Sequence, residues 1–284
     1  NVLVKGGKYL EAVKDADVIV FDKTGTLTNA NPQVQKVTPL NGYSRDEVLR
    51  IAACLEEHFP HSVANAIVNQ AKKEGLVHEE EHAKVEYIVA HGIATTLHGL
   101  HTVIGSDHFI FEDDGVEKTQ ELEDIITSLE KDGAGSLIYL AIDNQVAGII
   151  SIYDPLKQEA KQVIHELKNL GIQKVVMLTG DCNNAAKAVA NELDLDDYRS
   201  SILPEGKASY IQSLKDEGHT VIMVGDGIND TPALSTANVS ISMQDSSDLA
   251  RELADVTLVS SNLNELVTLR KLSVSLFDRI HANY

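Results

Sequence analysis

Residues 17–28 read DVIVFDKTGTLT, and this stretch decides the fold. Its first half is a short apolar run rich in β-branched residues, which is typical of a strand buried within a parallel sheet. Asp22 follows this run directly, and a polar turn containing Gly25 comes next. In open α/β sheets, ligands bind beyond the carboxyl ends of the strands. The stretch therefore predicts an α/β domain with Asp22 at the binding edge of its sheet.

The same pattern recurs twice towards the end of the chain. KVVMLTGD (174–181) and TVIMVGDGIND (220–230) are apolar runs that end in polar, glycine-bearing loops. Helices are predicted between the runs, because apolar residues recur there at helical spacing and because proline and glycine stand at helix starts and ends. The predicted helices cover residues 157–171, 183–195 and 204–218. Strands alternating with helices indicate a Rossmann-like parallel sheet.

The region between residues 36 and 150 has a different pattern. A helix opens with the capping box Ser44 to Glu47, strand-like segments follow, and a hairpin over residues 136–152 turns at Asp143-Asn144. This order predicts an antiparallel sheet with helices, which makes an α+β domain inserted after the first strand of the α/β domain. We therefore expect the α/β domain to be split into residues 1–35 and 151–270.

Composition excludes several classes of protein. The formal net charge is −19, with 24 Lys and Arg against 43 acidic residues, so we expect no nucleic-acid partner. The two cysteines, Cys54 and Cys182, provide no disulfide framework and suit a reduced, cytosolic setting. No apolar run is long enough for a membrane span. We expect the chain to be a piece of a longer protein, since it begins at Asn1 and stops within a helical stretch.

The residues at the three strand ends suit phosphoryl transfer. A carboxylate at a strand tip, with backbone N–H groups around it, can attack a phosphate and form an acyl phosphate, so Asp22 is the candidate nucleophile. Asp22 alone could also be a residue that only caps a turn. Thr179, Gly180 and Asp181 add a hydroxyl and backbone N–H groups, and GDGIND brings further carboxylates and an amide to the same edge, at Asp226, Asn229 and Asp230.

A magnesium ion is expected at this edge because phosphoryl transfer accumulates negative charge that oxygen-bound Mg²⁺ neutralises. The expected protein ligands are the carboxylates of Asp22 and Asp226 and the carbonyl oxygen of Thr24. Lys207, at the start of a helix, fits as a cation near the phosphate. Taken alone, it would be interpreted as a solvated helix lysine.

Together, DKTGTLT (22–28), TGD (179–181), a downstream lysine and GDGIND (225–230) resemble the P-type ATPases, which have a haloacid-dehalogenase-like fold. The resemblance covers essentially the whole chain. It implies that ATP phosphorylates Asp22, that Asp226 binds Mg²⁺, and that the phosphate is held by Thr179, Lys207 and Asn229.

Thr24 separates a pump from the alternative, a soluble phosphohydrolase of the same fold. Phosphatases of this fold carry a second Asp two residues after the nucleophile, whereas this chain has Thr24 there. Without that general base, attack of water on the acyl phosphate loses a factor of about 10²–10⁴. We therefore expect a phosphoenzyme that persists, as a pump requires.

The inserted region, residues 36–150, resembles the nucleotide-binding domain of the heavy-metal branch of this family. The matching residues, and hence the implied ATP contacts, are Glu56, His61, Gly92 and Gly105; Ser62, Ala90 and Ser106 depart from the branch pattern. Eight histidines lie between residues 58 and 108, including the pairs His78/His82 and His98/His101. A regulatory metal site is one interpretation of the pairs, and solvated surface histidines are the favoured one.

The resemblance also implies the setting of the chain. It predicts the cytoplasmic catalytic unit of a membrane pump for a heavy or transition metal cation, in the plasma membrane if the source is bacterial. Its partners would be ATP and the transmembrane and actuator domains of the same pump, the fragment itself being monomeric. Residues 271–284 would begin the helix that leads to a membrane span. The transported metal is not specified, since the selecting ligands would lie in membrane helices.

Overall fold

The computed structural model describes residues 2–76, 84–89, 92–225, 231–244 and 246–283, with the backbone alone described for 84–89. The chain divides into two compact units. The first unit comprises Asn1–Ala30 and Leu156–Tyr284, and the second unit comprises Asn31–Pro155.

The elements follow one another along the chain in three groups. The chain begins with β1 (Val2–Val4), α1 (Gly7–Asp15) and β2 (Val18–Asp22). The second unit contains β3 (Gln33–Pro39), α2 (Arg45–Glu56), α3 (Ser62–Lys73), β4 (Lys84–Val89), β5 (Gly92–Leu97), β6 (Leu100–Gly105), α4 (Gln120–Lys131), β7 (Ser136–Ile142) and β8 (Gln145–Tyr153). The chain continues with α5 (Ala160–Asn169), β9 (Lys174–Leu178), α6 (Asn183–Glu192), β10 (Asp197–Arg199), α7 (Pro204–Asp216), β11 (Val221–Val224), α8 (Thr231–Thr236), β12 (Val239–Ser242), α9 (Asp248–Leu253), β13 (Val256–Leu258) and α10 (Asn264–Ala282).

The first unit is built on a sheet of strand order β1-β13-β12-β11-β2-β9-β10. All neighbouring strands are parallel except β1, which pairs antiparallel with β13. Apolar residues of α1, α5, α6 and α10 pack on one face, and those of α7, α8 and α9 pack on the other. The predicted α/β class with a Rossmann-like parallel sheet is confirmed, because β2 and β9 are buried between two helical layers as their apolar runs require.

The second unit is built on an antiparallel sheet of order β3-β8-β7-β6-β5-β4. Helices α2 and α3 pack on one face, and α4 packs on the other. The predicted capping box is present in part, since Ser44 Oγ accepts a hydrogen bond from the Glu47 backbone N–H at 3.1 Å. The predicted hairpin also forms, and its two turn residues, Asp143 and Asn144, have positive φ angles of 52° and 63°, as a tight hairpin turn requires.

The predicted domain boundaries fall inside elements of the structure. Residue 36 lies within β3 and residue 150 within β8, and these strands pair with each other from Gln33↔Tyr153 onwards. Pairing holds both strands wholly in the second unit, so its limits lie about five residues outside those predicted. Residue 271 likewise falls within α10, which is one continuous helix of the first unit. Among the described residues, no helix combines the length and the apolar character needed to cross a membrane.

Candidate active site

Asp22 is the last residue of β2, and its side chain meets a lysine. The residue is only 6% exposed. Lys207, in the first turn of α7, is also buried, and its Nζ donates a hydrogen bond to Asp22 Oδ1 at 2.8 Å. Sequence placed these two residues 185 positions apart, and the fold joins them. A buried carboxylate beside an ammonium is held as an anion, which is the form a nucleophile needs.

The turn after Asp22 is shaped by its own hydrogen bonds. Gly25 has φ 78°, a conformation that side-chain-bearing residues rarely adopt. Its N–H donates to Thr28 Oγ1 at 3.0 Å, and the Thr28 N–H donates to the Lys23 carbonyl oxygen at 3.3 Å. Thr24 has extended backbone angles and is exposed on this turn. The turn therefore exposes Thr24 to solvent, while hydrogen bonds among Lys23, Gly25 and Thr28 fix the backbone on either side of it.

Lys23 is a residue that the sequence reasoning missed. Its side chain is buried, and its Nζ donates to Asp181 Oδ2 at 2.6 Å. A lysine that directly follows a fully buried strand was the available signal, because a buried ammonium needs a carboxylate partner. The pair connects the turn after β2 with the TGD loop after β9.

The predicted residues Thr179, Gly180 and Asp181 follow the end of β9, a neighbour of β2 in the sheet. β2 pairs with β9 at Asp22↔Leu178, so Thr179 follows at the same edge; it is buried, and its Oγ1 accepts the Asp181 N–H at 3.1 Å. Gly180 is exposed next to it. On the other side, β11 pairs with β2 and ends just before Gly225. The predicted residues Asp226, Asn229 and Asp230 lie outside the described residues.

The donor chemistry at this edge suits a hard divalent cation. Asp22 supplies a carboxylate, and the extended, exposed Thr24 supplies a carbonyl oxygen on the adjacent turn, and such oxygen donors are the ligands that Mg²⁺ prefers. Elsewhere, within the part of the chain that the structure describes, no group of three or more His, Cys, Asp or Glu side chains is arranged to hold a metal ion. His78 and His82 lie outside that part. His101 instead pairs through Nε2 with Asp114 Oδ1 at 2.8 Å.

Glu56 and His61 form a second cluster, in the second unit. Glu56 ends α2 and is 5% exposed, and burial raises the pKa of its carboxyl to about 7. His61 precedes α3 and caps it, because its Nδ1 accepts the Ala64 N–H at 3.3 Å. The proton of the neutral ring therefore stands on Nε2, which lies 3.4 Å from Glu56 Oε2. Burial lowers the pKa of His61, so the ring is neutral at neutral pH.

Gly92 and Gly105 face each other across β5 and β6 as register partners. A Cβ atom at Gly92 would lie 2.3 Å from Phe109 Cδ1 and 2.6 Å from the Ile104 carbonyl oxygen. Close packing alone therefore requires glycine at residue 92. Residue 90, where the branch pattern has another glycine, is Ala90 and lies outside the described residues.

Comparison with known proteins decides the family. A profile described as haloacid dehalogenase-like hydrolase matches residues 16–238. This chain belongs to the haloacid dehalogenase-like hydrolase family. The matched residues include Asp22 and the ends of β2, β9 and β11.

Similarity to individual proteins places the chain more narrowly within the haloacid dehalogenase-like family. A zinc-exporting P-type ATPase of Mycobacterium marinum is 36% identical over the whole chain, which covers 39% of that protein. A copper-transporting ATPase of Oryza sativa subsp. japonica is 37% identical, also over the whole chain, which covers 28% of it. The chain thus spans well under half the length of these relatives. The predicted resemblance to the heavy-metal branch of the P-type ATPases is confirmed.

Solved structures agree with this placement within the haloacid dehalogenase-like family. A zinc-transporting PIB-type ATPase in the E2.Pi state is 34% identical with a TM-score of 0.76, and the match covers 99% of this chain and 45% of that one. The catalytic domain of the CPx-ATPase CopB-B, in work on conformational changes upon nucleotide binding, is 28% identical with a TM-score of 0.77. That match covers 95% of both chains.

Proposed function

We propose that this chain is the ATP-binding, autophosphorylating catalytic unit of a P-type ATPase that transports a heavy or transition metal cation. The observation that carries the proposal is the buried contact between Lys207 Nζ and Asp22 Oδ1 at 2.8 Å. Burial without a cation would favour the protonated, non-nucleophilic acid. The contact keeps Asp22 ionised in a place where water is largely excluded.

The reaction follows from these groups. An Asp22 carboxylate oxygen attacks the γ-phosphorus of ATP, the bond from that phosphorus to the β–γ bridging oxygen breaks, and ADP leaves with the electron pair. The Lys207 ammonium and the Thr179 hydroxyl stabilise charge on the transferring phosphoryl oxygens. The Lys23–Asp181 pair holds the two loops that carry these groups.

A magnesium ion belongs to this proposal. Asp22, the carbonyl oxygen of Thr24 and Asp226 would hold it. When bound, Mg²⁺ neutralises negative charge between the acceptor carboxylate and the phosphate. Asn229 and Asp230, which lie outside the described residues, complete the proposed set.

The proposed intermediate persists because the turn lacks a general base. Thr24 stands exposed two residues after Asp22, where a phosphatase of this fold carries an aspartate. A threonine hydroxyl does not accept a proton from water at neutral pH. This observation supports the pump over the soluble phosphohydrolase.

The second unit is the proposed nucleotide-binding domain. Glu56 and His61 stand together beside the start of α3, and Gly92 and Gly105 lie opposite each other on β5 and β6. A neutral imidazole and a carboxyl that is protonated in about half of the molecules near pH 7 suit an uncharged purine base better than they suit phosphates. The transmembrane and actuator domains of a full pump are the proposed partners, with this unit in the cytoplasm.

Labelling with ATP tests the proposal. The chain is incubated with Mg²⁺ and ATP carrying a label in the γ-phosphate, and acid-stable, hydroxylamine-sensitive label on protein is measured. We expect labelling of the parent and no labelling of Asp22→Asn. Asp15→Asn, which changes an exposed carboxylate on α1, should label as the parent does. Label that survives in Asp22→Asn would overturn the assignment of the acceptor.

A further inference from the structure

Lys157 is a buried lysine that the proposed reaction does not use. It is 5% exposed and lies just before α5. Its backbone N–H donates to the Leu27 carbonyl oxygen at 2.8 Å, and the preceding Leu156 forms a β-bridge with Thr28. Residues 156 and 157 therefore fix the last residues, Leu27 and Thr28, of the turn that follows Asp22.

The Lys157 side chain reaches the entry of α10. Its Nζ donates to the Ser261 carbonyl oxygen at 2.7 Å. Two residues later, Glu159 Oε1 accepts the Leu263 N–H at 3.2 Å, directly before the first turn of α10. Residues 156–159 thus contact both the end of the turn after Asp22 and the residues just before α10.

A second polar attachment of α10 lies at the opposite edge of the sheet. Arg270 is buried, and its guanidinium donates to the carbonyl oxygens of Val13, Ala16 and Leu170. These residues end α1 and α5, the helices that lead into the starts of β2 and β9. Because parallel strands start at the edge opposite the catalytic one, Arg270 fixes α10 far from Asp22. Lys157 fixes it at the catalytic edge.

We propose that Lys157 is a positioning residue that couples the phosphorylation state of Asp22 to the entry of α10. The inference rests on the proposed function, since it requires an occupant at Asp22. A phosphoryl group on Asp22 shifts the turn 23–28, and the hydrogen bonds at Leu27 and Thr28 carry the shift to Leu156 and Lys157. Breaking a hydrogen bond of a buried ammonium is costly, so the bond from Lys157 Nζ to the Ser261 carbonyl oxygen carries the shift on to Ser261.

Amide hydrogen exchange with and without beryllofluoride and Mg²⁺ tests the inference, beryllofluoride being the phosphoryl analogue. In the parent we expect slower exchange in two segments, residues 24–28 and residues 261–266. The change at the second segment should be about fivefold, the effect of one hydrogen bond on a local opening equilibrium. In Lys157→Met the first segment should still respond, and the second should not.

Two variants keep the test specific. Lys157→Arg retains a cationic donor and should restore much of the response at 261–266. Lys161→Met changes an exposed lysine on α5 and should behave as the parent does. A stability effect alone would alter exchange equally with and without beryllofluoride, so the ligand-dependent difference isolates coupling.

The outcomes separate the two proposals. A parent that binds beryllofluoride at 24–28 without any response at 261–266 overturns the inference and leaves the proposed function in place. A full response in Lys157→Met does the same. A parent that shows no response at 24–28 removes the proposed function and the inference with it. Should Lys157→Met fail to fold, a parent that responds at 24–28 and not at 261–266 still overturns the inference.

Discussion

Asp22 and Glu56 are carboxylates with almost equal burial and opposite surroundings. Their exposed fractions are 6% and 5%. Asp22 has the Lys207 ammonium at 2.8 Å, whereas Glu56 has a neutral imidazole nitrogen at 3.4 Å. Among the described residues, Glu56 Oε2 has no hydrogen-bond partner. Burial is therefore common to both, and the neighbouring cation is what distinguishes them.

The difference teaches what each carboxylate can do. Burial raises the pKa of Glu56 to about 7, so near neutrality a large share of the protein carries Glu56 as the neutral acid. An uncharged acid can donate a hydrogen bond to a ligand but is a poor nucleophile. The cation beside Asp22 gives that carboxylate the opposite character, which suits attack on phosphorus.

Removing the cation should have the largest effect. Lys207→Met keeps most of the length of the side chain and deletes its charge, which leaves the buried Asp22 without this ammonium. We expect phosphoenzyme formation to slow by about 10²–10³, comparable to losing one preorganised group that stabilises a transition state. The rate is measured by quenched incorporation of labelled phosphate. Lys215→Met, a change later on α7, is the control, and equal rates in all three proteins would remove the distinction between the carboxylates.

Glu56→Gln tests the other side of the comparison through pH. The folded-state pKa of Glu56 is raised, so the unfolded state ionises first; stability falls as pH rises from about 4.5 to about 7 and stays low above that. The loss is about 3 kcal/mol for a shift of this size. Glu56→Gln abolishes this loss. The unfolding free energy of the variant relative to that of the parent should therefore rise by about 2–3 kcal/mol as the pH is raised from 5 to 8.

Urea unfolding of the protein, with amide exchange in α2 and α3 as the probe of the second unit, measures this gain. The control is Glu57→Gln, the adjacent exposed acid. A parent whose stability is the same at pH 5 and pH 8 would show that Glu56 is not held as a neutral acid.

Gly92→Ala separates packing from ligand binding in the second unit. The added methyl group would overlap Phe109 and the Ile104 backbone, so we expect a loss of about 1–3 kcal/mol in unfolding free energy. Gly99→Ala is the comparison at an open site, though its positive φ of 79° carries its own strain. Thermal unfolding without nucleotide measures both, and an unchanged Gly92→Ala would contradict the close approach.

The smallest expected effect concerns the imidazole beside Glu56. His61→Ala should weaken ATP binding by about 1–2 kcal/mol, the contribution of one hydrogen-bonding or stacking group. His58→Ala, which changes an exposed histidine just past α2, should change it by less than about 0.5 kcal/mol. Calorimetric titration of both variants gives the order, and the reverse order would mean that His58 is the nucleotide ligand.

Local pattern was sufficient for much of the fold and part of the site. Apolar runs before Asp22 and Thr179 predicted strands of a parallel sheet, and the parallel register of β2 with β9 confirms this. The partner of Lys23 was not predictable, since nothing local in DKTGTLT specifies that its lysine reaches a carboxylate 158 residues away. The limits of the second unit were missed for a related reason. They depend on β3 pairing with β8, which is a contact distant in sequence.

The pairing of β3 with β8 also bears on how the chain folds. About 125 residues separate the two halves of the first unit, and closing a flexible loop of that length costs about 4 kcal/mol of chain entropy. Gln33 and Tyr153 are register partners, so the folded insertion holds its own ends side by side. Once it has formed, the loop between β2 and β9 shortens from about 150 residues to about 30, which lowers its closure cost by about 1.4 kcal/mol. The insertion thus lowers the contact order seen by the parallel sheet, and we expect it to fold first.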